Sequence, residues 1–466
     1  MSKMIMPFRS VFVPALLTGL LLFVTACGED GDYPVRSHVS GSFSVRAEVD
    51  STGDHAGFRV TVLGQRDGDI DTLGTAVTGR DGTFAFEVRA PEAGIYPISV
   101  ERNGTELTLG EFVAVDGDSV EVSAVFPLGS RRLRIISTEN AAWTAYRNAK
   151  TLHNHSMAEL VGAGNYTSAD LKQVISQTST VLWTIHGTYD GTIGGNLAKA
   201  ESVIMMEGWN DSLVVARYPE ISPENASIVE VARAARRSLA RLQGGDAAMD
   251  VLRALHDAAP VERRPGIMAE MVIAYADSNQ TAEAVKTASE LRRLYPESPW
   301  ATWASRATYD LENLQPGMEA PSYSLLDKEG QELTSSNQLG RFVILEFFDP
   351  LEPLFQREIA ARNNIASKID PRLFGYISVS VQPDAAINDA FFEEQDHPGH
   401  FILDGGGLDQ QVARDFNVNI IPTRFLIDPD GRIVAKYNGP ALDDLESDLV
   451  AIISSFNDLA ERMANR

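Results

Sequence analysis

Few side chains in this chain of 466 residues have the type and spacing that chemistry needs. There is one cysteine, Cys27. A single thiol excludes an intrachain disulfide, a Cys-x-x-Cys redox pair and a multi-cysteine zinc site. The close histidine pairs are His153-x-His155 and His397-x-x-His400. Neither is accompanied by a cysteine or a helix-spaced carboxylate set that would complete four ligands, so no metal site is expected. No Gly-x-Ser-x-Gly turn presents a serine nucleophile. The run Gly405-Gly406-Gly407 lacks the lysine and Ser/Thr of a phosphate loop. No cofactor is expected. The formal net charge of −24 argues against a nucleic-acid partner, since a phosphate backbone is gripped by clustered Lys and Arg. With 44% hydrophobic and 22% charged residues, the chain has the mix of a folded protein rather than a disordered one.

The position of the lone cysteine is informative. Lys3 and Arg9 precede an apolar run from Val11 to Val24, which is of signal-peptide length and short for a membrane span. The run closes on Val24-Thr25-Ala26-Cys27-Gly28. Small residues before a cysteine at this point resemble the bacterial lipobox. That resemblance implies a signal peptide over 1–26 and a Cys27 carrying a diacylglycerol on its thiol and a third acyl chain on its amino group. Several chains anchor a protein lastingly where one holds it only marginally. The implied partner is a membrane, and the implied location is the cell envelope, facing the periplasm or the outer surface. Residues 27–37 read as a polar tether.

The elements downstream fall into three regions. Over 38–127, Phe43, Val45, Ala47 and Val49 alternate with polar residues, as do Phe58, Val60 and Val62, then Phe84, Phe86 and Val88. Tyr96, Ile98 and Val100 run into Asn103-Gly104, a strong hairpin signal, and Val120, Val122, Ala124 and Phe126 follow Asp116-Gly117-Asp118. The pattern predicts an antiparallel β-sandwich. With its Asp-Gly turn before an aromatic strand, the segment resembles the small all-β domain of Bacteroidetes-type thioredoxin-like lipoproteins, which implies a spacer or docking module. Over 137–314 the periodicity is helical. Thr167-x-x-Asp170 has the form of a capping box, and Ser222-Pro223 reads as a helix start whose helix ends at Gly244-Gly245. Ala248, Met249, Leu252, Leu255 and Pro260 echo in Ala284, Val285, Ala288, Leu291 and Pro296, close to the tetratricopeptide period. Trp300 and Trp303 read as packing residues.

Residues 316–460 carry the most specific pattern. Gly317-x-x-Ala320-Pro321-x-Tyr323-x-Leu325-x-Asp327 precedes the apolar run Val343–Phe348. A second strand, Tyr376–Val381, follows, and then Ile421-Pro422-Thr423 and Asp430-Gly431. This order resembles the thioredoxin-like family that includes peroxiredoxins and TlpA-like membrane-anchored thioredoxins. The resemblance implies an α/β thioredoxin-like fold and a cis peptide before Pro422, with Ile421, Pro422 and Thr423 forming a substrate groove that Arg424 follows. It also places Glu352 and Phe355 at the two positions where redox-active members carry cysteines, and Glu346 at the acid beneath them. Thiol chemistry needs a thiolate, and neither position supplies one.

The expectation for the whole chain is therefore a multidomain protein: an N-terminal antiparallel β-sandwich, a central helical, TPR-like region and a C-terminal thioredoxin-like domain. No residue is expected to be catalytic. The domain is expected to bind a protein or peptide partner at its groove, by pairing with an extended segment. The family resemblance alone implies the alternative, a thiol–disulfide oxidoreductase or peroxiredoxin-type antioxidant protein of the envelope.

Overall fold

The computed structural model describes residues 33–49, 51–66, 68–129, 132–393 and 397–464. Cys27, the leader over 1–26 and residues 28–32 lie outside them. By their contacts the residues form two compact units, divided between Lys199 and Ala200.

The first unit opens with eight strands: β1 (Val35–Val45), β2 (Phe58–Arg66), β3 (Asp69–Val77), β4 (Thr83–Ala90), β5 (Gly94–Arg102), β6 (Thr105–Ala114), β7 (Ser119–Phe126) and β8 (Arg134–Ile136). They form two four-stranded sheets, ordered β4-β1-β7-β8 and β3-β2-β5-β6. The alternating apolar residues are what the sheets enclose. Phe43, Phe58, Val60, Val62, Val88, Ile98, Val100 and Val122 are all fully buried. At the centre, the ring of Phe43 lies 5.8 Å from that of Phe58, 4.8 Å from Phe84 and 5.7 Å from Phe126. The β5–β6 turn takes positive φ at Asn103 (54°) and Gly104 (75°), which matches the strand twist. Gly82, at φ 79°, passes so close to the Phe43 carbonyl that a Cβ there would sit 2.0 Å from its oxygen.

Two features depart from the expected arrangement. β1 and β7 pair in parallel, so the sandwich is not wholly antiparallel. The chain between them is long enough for a crossover, which a parallel pair requires. The first strand also stops at Val45, leaving Val49 62% exposed, while β3 carries almost no alternation. As an edge strand, β3 buries Leu73 and leaves Ile70 in solvent.

Helices follow: α1 (Thr138–Gly162), α2 (Ser168–Thr188), α3 (Ile193–Ile204), α4 (Asp211–Arg217), α5 (Ile228–Gln243), α6 (Gly245–Ala258), α7 (Arg264–Asp277), α8 (Thr281–Leu294) and α9 (Pro299–Asn313). Thr167 and Asp170 form the reciprocal capping box at the start of α2. α5 begins at Ile228, later than Ser222-Pro223 suggested. Ser222 Oγ accepts from the Glu224 N–H at 3.2 Å and Asn225 Oδ1 from the Ser227 N–H at 2.9 Å, so these side chains hold a turn that competes with helix. Gly244, at φ 96°, ends α5. The sequence echo falls on α6 and α8, burying Ala248 and Leu252 on one and Ala284, Ala288 and Leu291 on the other. Trp300 and Trp303 meet edge to face at 5.8 Å in the packing of α7, α8 and α9.

The second unit continues with β9 (Ser324–Leu326), β10 (Glu332–Thr334), β11 (Phe342–Phe348), α10 (Pro353–Lys368), β12 (Phe374–Ser380), α11 (Ala385–Glu393), β13 (His400–Ile402), α12 (Gln411–Asp415), β14 (Thr423–Ile427), β15 (Ile433–Asn438) and α13 (Leu442–Ala464). Five strands form one sheet, ordered β13-β12-β11-β14-β15. β12 runs parallel to β11 and to β13, while β14 is antiparallel to both β11 and β15. Leu345, Phe347, Val379 and Phe425 enter one core, and Ile344, Tyr376 and Leu426 enter another with Leu445 and Leu449 of α13. α9 is tied to this domain: Asn417 Nδ2 donates to Asp310 Oδ1 at 2.7 Å and Lys436 Nζ lies 2.9 Å from Asp310 Oδ2.

The Phe43 ring cluster sets the stability of the sandwich. Phe43→Ala is expected to lower unfolding stability by about 3–5 kcal/mol, the range for deleting a buried aromatic ring, as read by urea denaturation of the purified protein.

Candidate functional site

Strand register builds the site. Glu346 on β11 sits opposite Arg424 on β14 and opposite Ser378 on β12. Three adjacent strands therefore place Arg424, Glu346 and Ser378 in one row, and α10 lays Arg362 against it. The side chains of Glu346, Arg362 and Arg424 are fully buried. Arg424 Nε donates to Glu346 Oε1 at 2.8 Å, and Arg362 Nε donates to Oε2 at 3.0 Å. Ser378 Oγ donates to the same Oε2 at 2.8 Å. Arg362 also donates to Ser378 Oγ at 2.6 Å and to the Pro398 carbonyl at 2.5 Å, with its guanidinium 4.3 Å from the centre of the Tyr376 ring. Arg424 Nη2 reaches Glu358 Oε2 at 2.9 Å.

Electrostatics follow from this geometry. Burial alone would push the Glu346 carboxyl up, but the two guanidinium groups outweigh it and hold the group down to about 2. Tyr376 is pushed well above the ordinary phenol range, by burial first and by the Glu346 carboxylate second. A proton relay needs an acid whose pKa lies near the working pH. Glu346 stays ionised instead, as one member of a buried ion cluster.

Above the cluster, residues 349–352 turn from β11 into α10. Asp349 Oδ1 accepts from the Leu351 N–H at 2.9 Å and from Gln382 Nε2 at 3.2 Å. Glu352 is the N-cap residue of α10, half-buried, and its side chain makes no capping bond. Phe355 is fully buried, with its ring 4.8 Å from Phe348 and 5.9 Å from Phe391, in a cluster that includes Phe401.

The Ile421–Pro422 peptide is cis. The Pro422 carbonyl accepts from the Gly439 N–H at 2.8 Å. Thr423 turns inward, its Oγ1 donating to the Ile420 carbonyl at 2.6 Å and lying 2.9 Å from Asn438 Oδ1. Arg424 points into the ion cluster. Thr423, which the family resemblance placed in the groove, is buried, and so is Arg424, which follows it. Ile421 is half-buried and Ile420 is 40% exposed.

Sequence reasoning placed Glu346 but missed its partners Arg362 and Arg424. A signal was present. Arg424 sits inside Thr423–Ile427, a strand whose other members are apolar or small, and a charge in a buried strand requires a counter-charge. Elsewhere, His400 Nδ1 lies 2.8 Å from Asp327 Oδ2, and the ring of His397 stacks on Phe391 at 4.2 Å. Among the described residues no group of three His, Cys, Asp or Glu side chains is placed to hold a metal ion.

Sequence comparison can be set beside the five-stranded sheet, the helix that follows β11 and the cis peptide before Pro422. Residues 316–436 match the AhpC/TSA family. The C-terminal domain is thus an AhpC/TSA-type, thioredoxin-like domain. Curated relatives include the thiol-disulfide oxidoreductase ResA of Bacillus cereus, 26% identical over 130 residues, which are 28% of this chain and 73% of that protein. ResA of Bacillus subtilis is 24% identical over 142 residues, covering 30% of this chain and 78% of its own length. Among solved structures, the thioredoxin domain of a thiol-disulfide oxidoreductase from Bacteroides vulgatus is 21% identical, with a TM-score of 0.27, covering 30% of this chain and 99% of that one.

Removing the charge at the centre of the cluster leaves two buried cations with one carboxylate, Glu358, between them. Glu346→Gln is expected to cost about 3–5 kcal/mol of stability. The carboxyl is held below its unfolded value of 4.5, so its stabilisation is complete above that pH and is lost as pH falls towards about 2. This contribution amounts to about 3 kcal/mol. Urea unfolding between pH 2 and 7, for wild type and variant, checks both points. An acid limb that the substitution leaves unchanged would remove Glu346 from this account.

Proposed function

We propose that the chain is a lipid-anchored protein of the bacterial cell envelope whose thioredoxin-like domain binds a protein or peptide partner and exchanges no disulfides. The observation that carries this reading is the fate of the second thiol position. Phe355 fills it with a ring packed into the Phe348–Phe401 aromatic core, so the place is occupied by structure rather than left vacant. Glu352 at the first position can accept hydrogen bonds but cannot attack sulfur. Beneath them, the acid is neutralised by arginines. Each of the three parts that thiol exchange uses has been turned to another purpose.

The likeness to ResA favours a second reading, an oxidoreductase of the envelope. That activity would require thiols supplied by another protein, because the chain's sole cysteine is Cys27, at the proposed site of acylation. The lipobox-like Val24–Cys27 supports an anchor, and the acidic surface supports solubility above it.

Two measurements test the proposal. With insulin and dithiothreitol, and separately with hydrogen peroxide, the purified protein is expected to give no turnover above a buffer blank; sustained turnover in either assay would overturn the non-catalytic reading. In a bacterial host, Cys27→Ser is expected to abolish incorporation of labelled palmitate and to shift the protein out of the membrane fraction, whereas retained labelling would disprove the anchor.

A further inference from the structure

The carboxyl end of the five-stranded sheet is made of five connections. They are residues 349–352 after β11, 381–384 after β12, 403–410 after β13, 416–422 before β14 and 439–441 after β15. They are neighbours in space. Gln382 Nε2 bonds Asp349, joining the first two. A Cβ built on Gly407 would lie 3.9 Å from Pro383 Cβ, and one built on Gly439 would lie 3.9 Å from Ile420 and 4.0 Å from Leu354.

The charge of this face is one-sided. The five connections contain Asp349, Glu352, Asp384, Asp404 and Asp409 and not one Lys or Arg, although the whole chain sets 40 basic residues against 64 acidic ones. None of these five acids is in an ion pair among the described residues; the nearest basic residue along the chain from Glu352 is Arg357, on α10. Apolar side chains stand among them: Leu351 is 60% exposed, Leu408 46% and Ile420 40%. Within the same cluster, Gln410 is only 7% exposed. Its Nε2 donates to the Ser380 carbonyl at 2.8 Å and the Gly407 carbonyl at 2.7 Å, which fixes the carboxamide between β12 and the 403–410 loop. Its Oε1 is buried with no hydrogen-bond partner among the described residues. A buried acceptor of this kind calls for a donor.

We propose that this face docks an extended segment of a partner protein in which Lys or Arg residues alternate with apolar ones. The inference rests on the binding reading above and adds the partner's chemistry. Cationic side chains answer five uncompensated carboxylates and bring donors, while apolar side chains cover Leu351, Leu408 and Ile420. Complementary charge of this kind raises the encounter rate and excludes like-charged competitors.

The test uses the full chain in non-ionic detergent and fluorescent peptides of about twelve residues in which Leu alternates with Lys, with Ser or with Glu. By anisotropy at low salt, the Lys peptide is expected to bind at least about tenfold more tightly than the Ser peptide, the Glu peptide not at all, and binding should weaken as salt rises. Asp384→Lys with Asp409→Lys, and separately Leu351→Ser with Ile420→Ser, are each expected to weaken the Lys peptide about tenfold. The control pair Asp250→Lys with Glu283→Lys, an equal charge change on the exposed faces of α6 and α8, is expected to leave binding unchanged. If the control weakens binding equally, the attraction is diffuse and the proposed face is wrong. If Ser or Glu peptides bind as well as Lys, and the loop variants abolish that binding, the basic partner is wrong while the binding reading survives. If no peptide binds, this inference and the groove reading both fail.

Discussion

A carboxylate with no access to water must find its counter-charge inside the protein, and in this domain Glu346 finds two. Arg362 comes from α10 and Arg424 from β14, while Ser378 closes the row from β12. Burying each ion costs several kcal/mol, and the Coulombic gain in the interior repays it only when the geometry is good. The cluster therefore adds little over an apolar core of equal volume. What it does is penalise every other arrangement. A one-residue slip of β14 against β11 would turn Arg424 to the opposite face and leave Glu346 facing one cation instead of two. Glu358 completes the balance by pairing with Arg424, so two acids meet two bases. Helix and sheet are thus joined by charge where much of the rest of the domain is joined by apolar contact.

The same cluster defines what the site can do. An acid that moves protons must change its ionisation within the working pH range. Two guanidinium groups keep Glu346 ionised far below that range. Further along the chain, Phe355 lies packed at a tilt against Phe348 and Phe391, in a cluster with Phe401, rather than exposed at the head of α10. On the proposed reading, the departure from thiol chemistry is therefore not confined to positions 352 and 355. It extends into the core beneath them, through an acid that has become structural and a ring that supplies packing. Placing cysteines at 352 and 355 would open a cavity at the second position while leaving the arginine clamp intact.

How much of this was legible in sequence depended on whether a residue's neighbours were local. The sandwich core was readable because Phe58, Val60, Val62, Ile98 and Val100 carry the period of a half-buried strand, and because Asn103-Gly104 adopts the backbone that its residue types favour. β3 was not readable, since an edge strand needs only one paired side and few buried residues. The parallel pairing of β1 with β7 leaves no mark in either strand. The start of α5 was misread because Ser222 and Pro223 are helix openers whose local hydrogen bonds serve a turn equally well. Glu346 was recognisable as a buried acid from the apolar run around it. Arg362 and Arg424 lie 16 and 78 residues away from it. Their pairing is a product of strand register and helix docking, which no local pattern encodes.

On the proposed reading, what bears on function in this domain is its exposed connections rather than its interior. Connections between elements carry function more often than the elements they join, because the core holds them in place without dictating their side chains. Here five strands, an ion cluster and an aromatic cluster fix the spacing of the five connections at the sheet's carboxyl end. Those connections are free of the demands that a dithiol would place on them, which are a low thiol pKa, a proton acceptor beneath it and access for a second disulfide. What remains to constrain them is surface: which charges stand there, which apolar groups are left in solvent, and whether an extended chain can lie across them. The proposed binding reading places that constraint on the acidic face, where Leu351, Leu408 and Ile420 stand exposed among the carboxylates.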